Sequence, residues 1–150
     1  MIRGLEEIQA LLLFYKLIMD FWDQLKLARN VDTPIDVLAE LVNCKYDNSY
    51  FQNNIYFSLA ENQNMTSELL IKLLDLTDFW WVKSAIAGHA NTPEEILFKL
   101  SQDVTYEVRF EVCLNPNTPD YILKILTKDP YCSEDATDAL IERKNLAIFK

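Results

Sequence analysis

Apolar residues recur along this chain in two alternating sets. Ile96, Leu97 and Leu100 reappear one unit later as Ile122, Leu123 and Leu126. They are preceded by Leu70, Ile71 and Leu74, and before those by Val37, Leu38 and Leu41. Spacings of one, three and four put each set on one face of a helix. Between the sets lie shorter runs with apolar residues four apart: Ile55 and Leu59, Val82 and Ile86, Val108 and Val112. The pattern predicts helix pairs. Alternating strand patterns are absent, so the expected class is all-α.

The pairs are near-copies of one another. Ile86-Ala87-Gly88-His89-Ala90-Asn91-Thr92-Pro93 returns as Val112-Cys113-Leu114-Asn115-Pro116-Asn117-Thr118-Pro119. Thr66 to Thr92 and Thr92 to Thr118 are each 26 residues, while Thr33 to Thr66 is 33, an insertion of about seven. Four units begin near Leu27, Leu59, Ile86 and Val112, with Met65 read as an extra residue in the second. Thr92 is read as an N-cap, Pro93 as the first helical residue and Glu95 as closing a capping box. Thr33-Pro34 and Thr118-Pro119 repeat that start, and Thr66-Ser67 keeps the cap without the proline. Neither helix of a unit can bury its apolar stripe alone, whereas stacked units bury both. The expected organisation is one α-solenoid domain over residues 1–150, with capping helices at 1–26, repeats at 27–129 and a C-terminal cap at 130–150.

The run from Val108-Arg109 to Leu123 has the form V-R-x-x-V-x-x-N-P-N-T-P-x-x-[IL]-L. It resembles the leucine-rich repeat variant family of bacterial proteins, over roughly residues 27 to 140 and most closely in the third and fourth units. The resemblance implies alternating α and 3₁₀ helices in a right-handed superhelical, HEAT-like α/α solenoid, here of about four to five repeats. The founding type has a cysteine-rich iron–sulfur segment at its N-terminus. The first cysteine here is Cys44, so that feature is not carried over. The family is not defined by a catalytic activity, and no active site transfers.

Both ends depart from the repeat. Leu5, Ile8, Leu12, Tyr15, Met19 and Trp22 step by three and four, which predicts a helix or a helix pair bent near Lys16 to Asp20. The apolar run Ala10–Met19 is too short for a membrane span and contains Lys16. Glu6 and Glu7 stand where a signal peptide carries positive charge, so a cytoplasmic chain is expected. After Asp129-Pro130 the apolar phase moves to Ala136 and Leu140, as expected of a terminal cap. The apolar tail Leu146 to Phe149 leaves a monomer or a weak homodimer open.

The candidate chemistry is sparse. Three cysteines with no C-x-x-C fit a reducing compartment. Cys113 takes the alanine position of the repeat (Ala28, Ala60, Ala87) and reads as a small core residue. His89, the single histidine, takes the turn position of Asn30, Asn62 and Asn115 and reads as a partner for backbone groups rather than a metal ligand. There is no Gly-rich phosphate loop, no G-x-S-x-G and no second histidine to act as a base. Neither an enzyme nor a bound metal or cofactor is expected.

Charge narrows the partners. The net charge is −9, with four acids and four bases in residues 1–29, eight and three in 30–90, and eleven and seven in 91–150. Without a basic stripe, binding to nucleic acid or to an anionic membrane is not expected. Arg109 and Lys83 form a short basic ladder, expected to pair with Glu107 and Glu111. Part of the acidity serves solubility; it also suits a basic protein partner. The insertion between Asn43 and Phe57 is rich in asparagine and aromatics, and Phe79-Trp80-Trp81 follows one unit later. Tyr46, Tyr50, Trp80, Trp81 and Tyr106 are the candidate protein-binding patch. Adjacent Trp80 and Trp81 cannot share one helix face, and Phe51 and Trp81 lean toward the core. The first functional reading is a non-catalytic protein-binding module. The second is an acidic DNA mimic that blocks a nucleic-acid-binding protein.

Overall fold

A computed structural model of the chain describes residues 20–148. The described residues form nine α-helices and no strand. Helix α1 covers residues 20–29. It is followed by α2 (Ile35–Asn43), α3 (Ser49–Ala60), α4 (Ser67–Asp75), α5 (Trp80–Gly88), α6 (Glu94–Leu100), α7 (Tyr106–Leu114), α8 (Asp120–Leu126) and α9 (Ser133–Ile148). The all-α expectation holds. The 3₁₀ helices implied by the resemblance do not occur among the described residues, where both members of each pair are α-helices. The helix and bend expected before residue 20, and the side chains of Ala147 to Phe149, lie outside the described residues.

The helices alternate between two rows. Helix α3 packs on α5, α5 on α7 and α7 on α9, while α2, α4, α6 and α8 each pack on their sequence neighbours. One apolar cluster runs through the stack. Leu38, Leu70, Leu97 and Leu123 are fully buried at one height in α2, α4, α6 and α8. Ile55 and Leu59, Val82 and Ile86, and Val108 and Val112 meet them from α3, α5 and α7, likewise fully buried.

The second unit is displaced by one residue from the sequence alignment. The Met65 amide bonds Asn62 O as Thr92 bonds His89 O and Thr118 bonds Asn115 O. Met65 is therefore no extra residue. It fills the threonine position, fully buried, and Thr66 falls where Pro34, Pro93 and Pro119 stand. Leu70 and Leu73, rather than Ile71 and Leu74, then match Leu97 and Leu100.

The threonines are not caps. Pro34, Pro93 and Pro119 hold the N-cap positions, with no side-chain cap. The hydroxyls of Thr33, Thr92 and Thr118 turn back and donate to the carbonyls of Leu27, Ile86 and Val112 at the end of the preceding helix. Buried there, each adds a donor to a carbonyl at a helix C-terminus instead of accepting from an N-terminal amide. Only Thr66, which lacks a following proline, accepts from an amide as a cap, that of Leu69.

Asparagines join one turn to the next. Asn62 Nδ2 donates to the carbonyls of Ala28 (2.7 Å) and Asn30 (3.0 Å). Asn115 Nδ2 does the same to Ala87 (2.6 Å) and His89 (2.9 Å). A parallel row runs from Asn64 to Val31, Asn91 to Met65 and Asn117 to Ala90. Arg143, 26 residues beyond Asn117, ends that row: its guanidinium donates to the carbonyls of Asn115, Pro116 and Thr118. At the start of α9 the buried residues are Cys132, just before the helix, and Ala136 within it.

Arg109 pairs with Asp129 (Nε–Oδ2 2.7 Å), not with Glu107 or Glu111, and Lys83 makes the same pairing with Asp103 at 3.3 Å. The reason is the turn. Asp103, after α6, and Asp129, after α8, each fold their own loop by accepting an amide two residues on, which holds a carboxylate against the base of α5 and of α7 respectively. Burial pushes the Asp129 carboxyl upward. The hydrogen bonds from Arg109 and from the amides of Tyr131 and Cys132 outweigh burial and hold it below the ordinary carboxylate range. A carboxyl depressed by folding stabilises above its unfolded value, about pH 4, and that stability is lost as the pH falls through the lower folded value. Urea unfolding should therefore show an acid-limb loss of about 1–2 kcal/mol below pH 4 that Asp129→Asn lacks. An unchanged acid limb in the variant would contradict the pairing.

Candidate functional site

The five aromatics proposed from sequence fall into four places. Tyr46 lies edge-on to Phe21 (5.9 Å) and to Phe51 (6.4 Å), with its hydroxyl donating to Gln24 Oε1. Burial, ahead of the nearby acids, pushes its phenol up to about 12. Tyr46 therefore belongs to the packing of α1 on α3. Tyr50 is 69% exposed beside Phe51 at the start of α3. Tyr106 is half exposed and leans on Tyr131 at 5.9 Å. Trp80 is 44% exposed and meets the half-buried Trp81 edge-on at 5.9 Å. Phe51 and Trp81 both pack against the core. No single patch unites the five.

Trp80 and Trp81 line a groove of about 730 Å³ that crosses α3, α5 and α7. Its cause is visible in the repeat. Ser84, Ala85 and Gly88 of α5 occupy the places that Phe110, Glu111 and Leu114 occupy in α7, 26 residues on. Small residues thin α5 between its neighbours. Phe57 and Ala60 of α3 form one wall, Glu111 of α7 reaches in from the other, and the tryptophans close one end. Glu111 Oε2 lies 2.7 Å from where a side-chain Cβ at Gly88 would stand, so the carboxylate rests in the space that the glycine leaves.

The groove is electrostatically one-sided. Glu61 and Glu111 line it, and no lysine or arginine does. Among the described residues neither glutamate has an ion-pair partner. Both sit at helix C-termini: Glu61 is the C-cap of α3, and Glu111, in the last turn of α7, overlies the last residue of α5. A helix C-terminus favours cations and disfavours carboxylates. Burial pushes the Glu111 carboxyl above its ordinary value.

His89 forms part of the floor. Its Nδ1 accepts from the Asn91 amide (3.0 Å), which leaves the proton on Nε2 to donate to Asn62 O (2.9 Å). Both nitrogens serve the turn ladder, so the ring carries the asparagine row onward and is no base for Ser84. Burial first, then nearby acids, push the Cys113 thiol up to about 12, and burial also raises Cys132; neither is poised as a thiolate nucleophile. Among the described residues, no three of histidine, cysteine, aspartate or glutamate gather as a metal site would require, and no helix is long and apolar enough to cross a membrane. The groove offers aromatic faces, a small-residue floor and two carboxylates, an arrangement suited to binding.

Gly88, Glu61 and Glu111 are absent from the sequence-based patch. The signal was present: Gly88 is one of two glycines in the chain and stands where the next unit has Leu114. Comparison with protein-family models, curated proteins and solved structures gave no match.

Proposed function

We propose that this chain is a small α/α solenoid of about four repeats, of the leucine-rich repeat variant or HEAT-like kind, that binds a basic protein through its α3–α5–α7 face without catalysis. The asparagine rows and the 26-residue recurrence support the repeat reading. The observation that carries the binding reading is the groove beside Trp80 and Trp81, with two glutamates and no lysine or arginine in its lining. Exposed aromatics beside a depression are the usual anchors of protein recognition. The DNA-mimic reading is not adopted. Asp36, Glu68, Glu94, Glu95 and Asp120 lie in the first turns of α2, α4, α6 and α8, where the helix dipole accounts for them without any phosphate mimicry.

Affinity purification from the native cell at low and high salt tests the proposal. A basic partner should be retained at low salt and released at high salt. Trp80→Ala should lower its retention by about tenfold, and Tyr50→Ala, away from the groove, should not. Undiminished retention by Trp80→Ala would remove the groove from the interface.

A further inference from the structure

We propose that the space over Gly88 is a seat for one arginine side chain of an extended partner segment, its guanidinium held between Glu61 and Glu111 and its stem lying along Trp81. This deepens the binding reading above and rests on it. Three independent features converge on a cation. The first is steric: Ser84, Ala85 and Gly88 leave open along the groove the places that Phe110, Glu111 and Leu114 fill in α7, with the Glu111 carboxylate itself standing at the Gly88 end. The second is electrostatic: two carboxylates without described ion-pair partners stand at the negative ends of helices α3 and α5, where the fold gains nothing from them. The third is the indole pair, whose π faces attract a guanidinium and cover its alkyl stem. Arginine fits better than lysine because its planar fork can stack on indole and donate to two carboxylates together. Seating the cation returns to Glu111 the charge stabilisation that burial removes.

The probe is the capped pentapeptide Ac-Ala-Ala-Arg-Ala-Ala-NH₂, compared with the same peptide carrying neutral citrulline. Binding is followed by amide and indole signals in ¹⁵N-edited spectra of the full chain. The arginine peptide should shift the Gly88 amide and the Trp80 and Trp81 indoles saturably, with affinity about tenfold above citrulline. Glu111→Gln should remove that preference while its melting temperature stays at or above the wild-type value. Gly88→Leu, which copies Leu114 at a helix end with ordinary backbone geometry, should block the seat by filling it. Equal affinity for the two peptides, or no saturable shift at about 10 mM arginine peptide, overturns the inference. A cellular partner lost by Trp80→Ala but unaffected by Glu111→Gln also overturns it and leaves the binding reading standing. Selective arginine binding with no cellular partner retained supports the seat and overturns that reading instead.

Discussion

Asn115→Ala is expected to lower stability by about 3 kcal/mol. The side chain donates to Ala87 O at 2.6 Å and His89 O at 2.9 Å, and accepts from the Asn117 amide at 2.9 Å. Asn115 is 1% exposed, so water does not replace what the alanine removes. Ala87 O and the Asn117 amide then each lose this partner, and His89 O keeps only the Thr92 amide, a buried group left unsatisfied costing roughly 1–3 kcal/mol. In a chain of this size that corresponds to a fall in melting temperature of roughly 10 °C. Asn115→Asp should be worse still, since it keeps the shape, cannot donate, and puts a negative charge against two carbonyls. Asn117→Ala, in the exposed row, should cost less than about half as much. Thermal melts of the three variants check the order. An Asn115→Ala variant that melts with the wild type would mean that the turns are held by packing alone.

Leu97→Ala is the second large effect, about 2–5 kcal/mol. Leu97 is fully buried, at the height where Leu70 and Leu123 fill the same place in the adjacent units. The cavity would open in the middle of the stack, where α6 packs between α5 and α7. Helix α6 packs on both α5 and α7, so the damage should spread to both sides. Amide exchange should quicken in α5, α6 and α7 before α2 or α9. Ile125→Ala, on the exposed face of α8, should change stability by less than about 0.5 kcal/mol and serves as the control. Faster exchange confined to α6 would contradict a shared core.

The sequence made the helices legible because burial imposes a period that composition cannot disguise. Leu38, Leu97 and Leu123 were placed correctly because the Thr-Pro start keeps register in three units. The second unit slipped because Thr66 looked like the missing threonine, whereas the buried position takes Met65. Local spacing could not reveal that this buried position takes methionine where its neighbours hold a hydroxyl. The same limit explains the caps. A threonine before a proline carries the local signature of an N-cap, yet the hydroxyl of Thr92 donates to Ile86 O, a choice made by burial of the preceding helix end. Arg109 was assigned to acids on its own helix, two residues to either side. Its partner Asp129 lies 20 residues on, brought close by a turn that the aspartate itself folds.

The candidate site was less legible for a different reason. Aromatic content marked Tyr46 and Trp80 alike, but whether a ring faces core or solvent depends on what packs against it. Phe21 and Phe51 both flank Tyr46, while among the described residues the one aromatic ring against Trp80 is that of Trp81, and Trp80 stays 44% exposed. The groove is made by what α5 lacks, and absent side chains leave only a faint mark in a sequence. His89, by contrast, was read correctly from its place in the asparagine series, since the repeat supplied the geometry.

The most direct test of the binding face is chemical-shift mapping of the purified basic partner on the ¹⁵N-labelled chain. Shifts concentrated at Trp80, Trp81, Gly88 and Glu111 are the expected result, fading in about 0.5 M salt as screening removes the attraction. Shifts concentrated on α2, α4, α6 and α8, with the Trp80 and Trp81 indoles unmoved, would contradict it.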